Sequence, residues 1–129
     1  MSSPEFDAFS ILFGDKPELL AALRDKCIVR RYEKGATILN HQDESTDVHY
    51  VLKGHAKAYL LSADGREVWM NEFRPGDMFG EIAALAGSPR VCSIAAYAPV
   101  ETAMFKGKVF LELMRTHGEF GIAVARLLA

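Results

Sequence analysis

Phe79-Gly80-Glu81-Ile82-Ala83-Ala84-Leu85-Ala86-Gly87-Ser88-Pro89-Arg90-Val91-Cys92-Ser93 is the stretch on which the reading of this chain turns. Six good helix formers, Glu81 to Ala86, interrupt a β-rich sequence and stop at Gly87 and Pro89. Barely over one turn long, such a helix is not stable alone. Its insertion between strands therefore needs another reason, and a phosphate site supplies one. Gly80 lets a ligand approach the backbone closely, and the following turn presents unpaired N–H groups at its positive end. Arg90 returns after the turn with a guanidinium fork suited to phosphate oxygens. Glu81 is out of place beside an anion unless the ligand also carries a hydroxyl that donates to a carboxylate, as a ribose does. Backbone donors, one Arg and one Glu together describe a sugar phosphate with a single negative charge. Taken singly, each residue has a plainer reading: Gly80 as a turn, Glu81 as a favourable helix-start charge, Arg90 as a solvated strand residue.

On both sides of this stretch the sequence is β-rich. Runs suited to strands cover Cys27–Tyr32, Ala36–Leu39, Val48–Leu52, Ala56–Leu61, Glu67–Phe73, Val91–Tyr97 and Val100–Phe105. Turn signals separate them at Lys34-Gly35, Lys53-Gly54, Asp64-Gly65 and Pro75-Gly76-Asp77, and Gly54, Gly65 and Gly76 recur in a strand-plus-turn rhythm. Val48, Tyr50 and Leu52 alternate with a second set, His49, Val51 and Lys53, that is only partly polar. That pattern suits a jelly roll whose strands are covered on both faces.

Helical periods flank the β region. Before it, Asp15 reads as a cap, Pro17 as a first-turn residue, and Leu19, Leu20 and Leu23 share a face. Phe6, Phe9 and Phe13 read as anchors on a neighbouring surface. After it, Phe110, Leu113 and Met114 form one stripe, and Phe120, Val124, Leu127 and Leu128 another, with a break at His117-Gly118. The second stripe is expected to stay partly wet in a monomer, hence a homodimer through the final helix. That helix runs to Ala129 on its apolar stripe and reads as truncated.

Composition narrows the function. Of 129 residues, half are hydrophobic and a quarter charged, a globular balance compatible with one domain over 1–129. Its expected parts are an N-terminal helical segment at 1–26, a β-roll at 27–106 containing the 79–93 stretch, and C-terminal helices at 107–129. Fifteen basic against 17 acidic side chains give a net charge of −2, unlike a domain that grips DNA by itself. DNA contact is expected only through a domain absent from this chain. No apolar run approaches the ~20 residues of a membrane span, the first residues carry no secretory signal, and Cys27 and Cys92 lie far apart without a CxxC. These features point to a cytoplasmic protein with free thiols and no membrane partner.

The stretch also resembles a known family. Phe-Gly-Glu, a short apolar turn, Gly-Ser-Pro-Arg and a following β-run are similar to the phosphate-binding cassette of cyclic nucleotide-binding domains. The resemblance extends to Gln42-Asp43, Asp47, Tyr50-Val51-Leu52-Lys53-Gly54, the Asp64-Gly65 hairpin and Phe73-Arg74-Pro75-Gly76-Asp77-Met78-Phe79-Gly80-Glu81. It is strongest to bacterial regulators of the catabolite-activator class. It implies a mainly β fold with flanking helices: a cyclic nucleotide-binding jelly roll with an N-terminal helix, a short cassette helix and C-terminal helices. It implies that Glu81, helped by the Gly80 backbone, binds the ribose 2′-hydroxyl. Arg90 would pair with the cyclic phosphate, backbone N–H groups near Ala83 and Val91 would complete the cradle, and Ile82 and Cys92 would line it. If both charged side chains face a wet pocket, replacing either is not expected to unfold the domain. Val91 and Cys92 depart from the small residues that usually follow the Arg, and Asp43 stands where many relatives have Gly. Because a hydroxyl after the Arg helps some relatives choose cGMP, Val91 points to cAMP ahead of cGMP.

The function expected is that of a cyclic-nucleotide sensor regulating transcription in a bacterium. A sensing module of a channel or kinase, or an interaction module of the same fold that has lost its ligand, are the alternatives. No nucleophile–base or paired-carboxylate arrangement suggests an enzyme, and no cofactor is expected beside the nucleotide. His41, His49 and His55 form no His-x-His pair for a cupin-type metal and read as surface residues. Cys92 reads as a small core residue, and Trp69 with Tyr59 as core packing, partner packing or a stacking platform for a base.

Overall fold

Strands with one or both faces apolar pair into two antiparallel sheets. The computed structural model describes residues 9–128. Two short helices, α1 (Phe9–Phe13) and α2 (Pro17–Lys26), precede strands β1 (Ile28–Tyr32), β2 (Thr37–Leu39), β3 (Val48–Lys53), β4 (Ala56–Leu61), β5 (Glu67–Phe73) and β6 (Met78–Phe79). Helix α3 (Glu81–Ala86), strands β7 (Ser93–Ala96) and β8 (Val100–Phe105), and helices α4 (Gly107–Thr116) and α5 (Gly118–Leu128) follow. One antiparallel sheet has the order β1-β8-β3-β6 and the other β2-β7-β4-β5. This is the mainly β roll with flanking helices that the alternation and turn rhythm anticipate.

Strand β3 shows why two layers are needed. Val48, Tyr50 and Leu52 pack under the helices with Phe9, Phe13, Leu19, Leu23, Phe105, Phe110 and Phe120. Val51 on the opposite face joins Leu39, Ala56, Ala58, Phe79, Ile94 and Val100 between the sheets. Stacking contacts such as Phe13 on Phe120, with centroids 5.3 Å apart, tie the N-terminal helix to the C-terminal one. At the β3–β4 turn Gly54 has φ +91°, and a side chain there would run into the Pro99 carbonyl oxygen. Glycine is required at that turn by space as well as by φ.

Several local expectations change. Asp15 does not cap α2: Lys16 occupies that position with no side-chain cap, and Pro17 opens the helix. The strand expected at Val91 starts at Ser93, because Val91 and Cys92 still belong to the turn after the cassette helix. Met78–Phe79 forms a two-residue strand that its shortness hid in the sequence. Phe9 and Phe13 are buried anchors on α1, while Phe6 lies outside the described residues. The break at His117-Gly118 stands where expected, and the α5 stripe is wet only toward its end. Phe120 and Val124 are fully buried in the chain's own core, Leu127 is half-buried, and only Leu128 of that set is exposed.

His49 is not a surface residue either. It is 3% exposed, its ring stacks on Phe79 with centroids 5.1 Å apart, and its Nδ1 shares a hydrogen bond of 2.9 Å with the Thr102 hydroxyl. Burial, with the Arg90 and Arg30 charges nearby, lowers its pKa from 6.5 to about 3. A depressed folded pKa means that the neutral ring stabilises the fold fully above the ordinary value, and that this share is lost as pH falls from 6.5 toward 3. The slope approaches 1.4 kcal/mol per pH unit at most. His49→Gln is therefore expected to flatten the acid-side decline in stability seen in urea melts between pH 7 and pH 4. An unchanged pH slope in the variant refutes this role.

Candidate functional site

The cassette helix α3 is held between two left-handed glycines, Gly80 at φ 90° and Gly87 at φ 68°. Only glycine takes these values without strain, so the six-residue helix starts and stops abruptly. A Cβ on Gly80 would lie 2.6 Å from the Asp47 carbonyl oxygen and 3.0 Å from Arg90 Nη1. The backbone at Gly80 is pressed against a second loop and a guanidinium. Strand β6 delivers the chain to this point by pairing His49 with Phe79.

Arg90 explains the compression. It is 6% exposed and braces two segments: Nη1 donates to the Gly80 carbonyl at 2.7 Å, and Nη2 donates to the Asp47 carbonyl at 2.6 Å and the Ser45 hydroxyl at 3.3 Å. Its Nε is buried without a partner. Glu81, 8% exposed, leaves Oε2 buried and unpartnered as well. Burial pushes the Glu81 carboxyl up, against a weaker pull from Arg90. It also pulls the Arg90 guanidinium down, offset in part by Asp43, Asp47 and Glu81. The condition of a wet pocket is not met: each group is enclosed, and Arg90 is already engaged with main-chain oxygens.

Both residues line a cavity of about 210 Å³. All seven residues singled out in the sequence, Gly80, Glu81, Ile82, Ala83, Arg90, Val91 and Cys92, lie on its wall. The other walls are Leu39 of β2, Ala58 of β4, Met70, Asn71 and Phe73 of β5, Phe79 of β6, Pro89, and Ile94 of β7. These were missed, because a strand pattern identifies inward residues but not which part of the interior stays open. The cavity thus has one charged wall, on the cassette, and an apolar remainder relieved by Asn71. Cys92 sits half-buried on the wall, its thiol pushed up by burial. Trp69 and Tyr59 pair at 5.3 Å but line no part of the cavity. Trp69 is 48% exposed, so the pair is not core packing.

A wall with one carboxylate, one guanidinium and the first N–H groups of a helix suits a ligand carrying an anion beside a hydroxyl donor. Native folds leave few buried polar atoms unsatisfied, and here two belong to residues that line one wall. Comparison with known proteins agrees with this chemistry. The profile of the family described as "Cyclic nucleotide-binding domain" matches residues 29–117. A cAMP-dependent protein kinase regulatory subunit of Colletotrichum orbiculare is 34% identical over 92 residues, covering 71% of this chain and 23% of that protein. The cAMP-activated global transcriptional regulator CRP of Pasteurella multocida is 25% identical over 104 residues, covering 80% of this chain and 50% of the relative. Among solved structures, the Thermus thermophilus catabolite activator protein superposes with a TM-score of 0.80 at 25% identity, over 98% of this chain and 56% of that one. The chain therefore spans half or less of the length of these curated relatives.

The bracing role of Arg90 is testable without ligand. Arg90→Gln should destabilise the unliganded domain by about 2–3 kcal/mol, since at least one of two enclosed carbonyls loses its donor. Arg90→Lys, which retains charge but not the fork, should fall between. Urea unfolding that shows no difference for either variant would contradict the bracing.

Proposed function

The chain belongs to the cyclic nucleotide-binding domain family, and on that premise we propose that its cavity binds cAMP ahead of cGMP. The observation that carries this reading is that Glu81 and Arg90, side by side in the lining of the cavity, each keep a buried polar atom, Oε2 and Nε, without a partner. A cyclic phosphate with a free 2′-hydroxyl offers an acceptor to one and a donor to the other. Gly80 lets the sugar come close, Ile82, Val91 and Cys92 supply apolar wall, and the N–H groups at Ala83 and Val91 complete the cradle. The absence of a hydroxyl at Val91 supports the preference for cAMP. The ligand would act as a signal and not as a cofactor of a reaction.

The domain serves, in this reading, as the sensing part of a bacterial transcription regulator in the cytoplasm, reaching DNA only through a separate domain. The superposition on the Thermus thermophilus protein and the match over 80% of the chain to the Pasteurella multocida regulator support that context. A kinase regulatory subunit is the second reading, favoured by the higher identity, 34%, to the Colletotrichum orbiculare protein.

Dimerisation through α5 remains part of the proposal, but not on the stripe first named, since Phe120 and Val124 are consumed by the intramolecular core. The face left for a partner is Ile122, Ala125 and Leu128, all exposed. Ile122→Glu is expected to shift sedimentation at high concentration toward monomer while sparing the melting temperature. A wild-type protein that stays monomeric at every concentration would rule the dimer out.

Ligand chemistry separates the two charged residues. Arg90→Gln should weaken cAMP binding by ~2–5 kcal/mol, as breaking a desolvated charge pair does. Glu81→Gln should cost about 1–2 kcal/mol, one charge-assisted bond to a neutral hydroxyl. Toward 2′-deoxy-cAMP the Glu81 change should matter little, its partner being gone, whereas the Arg90 change should matter in full. Calorimetric titration of wild type and both variants with the two nucleotides decides it. Equal losses for Glu81→Gln with both ligands would overturn the ribose assignment, and no heat with millimolar cAMP would favour a ligand-free interaction module.

A further inference from the structure

We propose that a β-bulge at Met70-Asn71 is the base-reading device of the cavity, and that the Asn71 carboxamide selects adenine over guanine. The proposal rests on the cyclic-nucleotide reading of the same cavity. Along the β4–β5 pair, Lys57 faces Glu72 and Tyr59 faces Trp69, so Met70 and Asn71 together oppose Ala58 alone. In a regular strand two successive side chains point to opposite faces. An extra residue breaks that alternation and re-aims a side chain. Here Met70, Asn71 and Ala58 all line the cavity. Trp69, one residue earlier, remains against Tyr59 and beneath the Lys57 ammonium.

Elimination then singles out Asn71. Among the residues that line the cavity, only Asn71, Glu81, Arg90 and Cys92, the last by its thiol, have side chains with a hydrogen-bonding N, O or S–H group. Glu81 and Arg90 face the sugar and phosphate, and a thiol is a weak hydrogen-bonding group. Asn71 lies on β5 and not on the cassette, is exposed, and its amide makes no hydrogen bond to another described residue. It is the side chain left to address the far end of the ligand. A carboxamide presents a donor and an acceptor side by side, matching the N7 and N6–H of adenine. Guanine shows two acceptors, O6 and N7, on that edge, so the amide oxygen would meet an acceptor. Met70 beside it adds a polarizable surface for the ring face.

Isothermal titration of wild type and Asn71→Leu tests this, using cAMP, cGMP and the 3′,5′-cyclic phosphate of unsubstituted purine riboside, which lacks the N6 amine. Leucine keeps the branched shape and heavy-atom count of asparagine, and position 71 lies on an exposed strand, so the fold should tolerate it. The variant should bind cAMP about tenfold more weakly, as expected for one lost base contact. The purine analogue should lose no more than about threefold, and the preference for cAMP over cGMP should shrink. Equal losses for cAMP and the analogue, or no loss for either, would show that Asn71 does not read the base while leaving the pocket assignment intact. Failure of the wild type to bind any of the three would remove the nucleotide reading itself, and the Asn71 role with it.

Discussion

The buried guanidinium of Arg90 is the constraint on which the site depends. It ties the Gly80 carbonyl to the Asp47 carbonyl and the Ser45 hydroxyl, joining the start of the cassette helix to the loop before β3. Desolvating a guanidinium is unfavourable, and the strong bonds to two main-chain oxygens offset it. The geometry this enforces is narrow. Gly80 must be glycine because Asp47 and Arg90 press on it from one side and its φ is left-handed. With Gly80 fixed, Glu81 opens the cassette helix at the cavity wall.

Such a wall is prepared for a ligand at the expense of the empty state. Glu81 is held buried without a full set of partners, and its raised pKa records that the ionised form is disfavoured there. Because the folded pKa lies above the unfolded one, ionising Glu81 as pH rises through that raised value removes stability from the unliganded domain. A hydroxyl donor on a ligand would reverse the sign, making the carboxylate the favoured form. Binding energy at this residue comes from relieving a pre-existing penalty as well as from a new bond, which is how preorganised sites gain affinity without moving.

How much of this was legible beforehand follows from what each signal encodes. Spacing within one short segment carried the cassette: a glycine, a carboxylate, a helical turn and an arginine nine residues on are local facts. Turn glycines likewise marked the strand rhythm, since a positive φ leaves a residue-level trace. Burial that depends on a distant partner left no such trace. His49 looks like the polar half of an alternating strand, yet Phe79 and Thr102 enclose it from elsewhere in the chain. The α5 stripe was correctly seen as apolar, but whether α1, α4 or a second molecule covers it depends on tertiary packing.

The bulge on β5 is the clearest case of information held by the fold alone. Glu67–Phe73 reads as an ordinary strand, and nothing in the order Trp69-Met70-Asn71-Glu72 says where register slips. The slip follows from simultaneous demands on the pairing. Near the hairpin, Leu60 faces Val68 and Leu61 faces Glu67, the register set by the tight Asp64-Gly65 turn; at the other end Ala56 must face Phe73, which packs between the sheets. The two registers differ by one residue, and that residue has to bulge somewhere between them. It does so opposite Ala58, the smallest side chain available on β4 for the purpose and one that already faces the cavity. The position of Asn71 thus follows from a turn at one end of a hairpin and a core contact at the other.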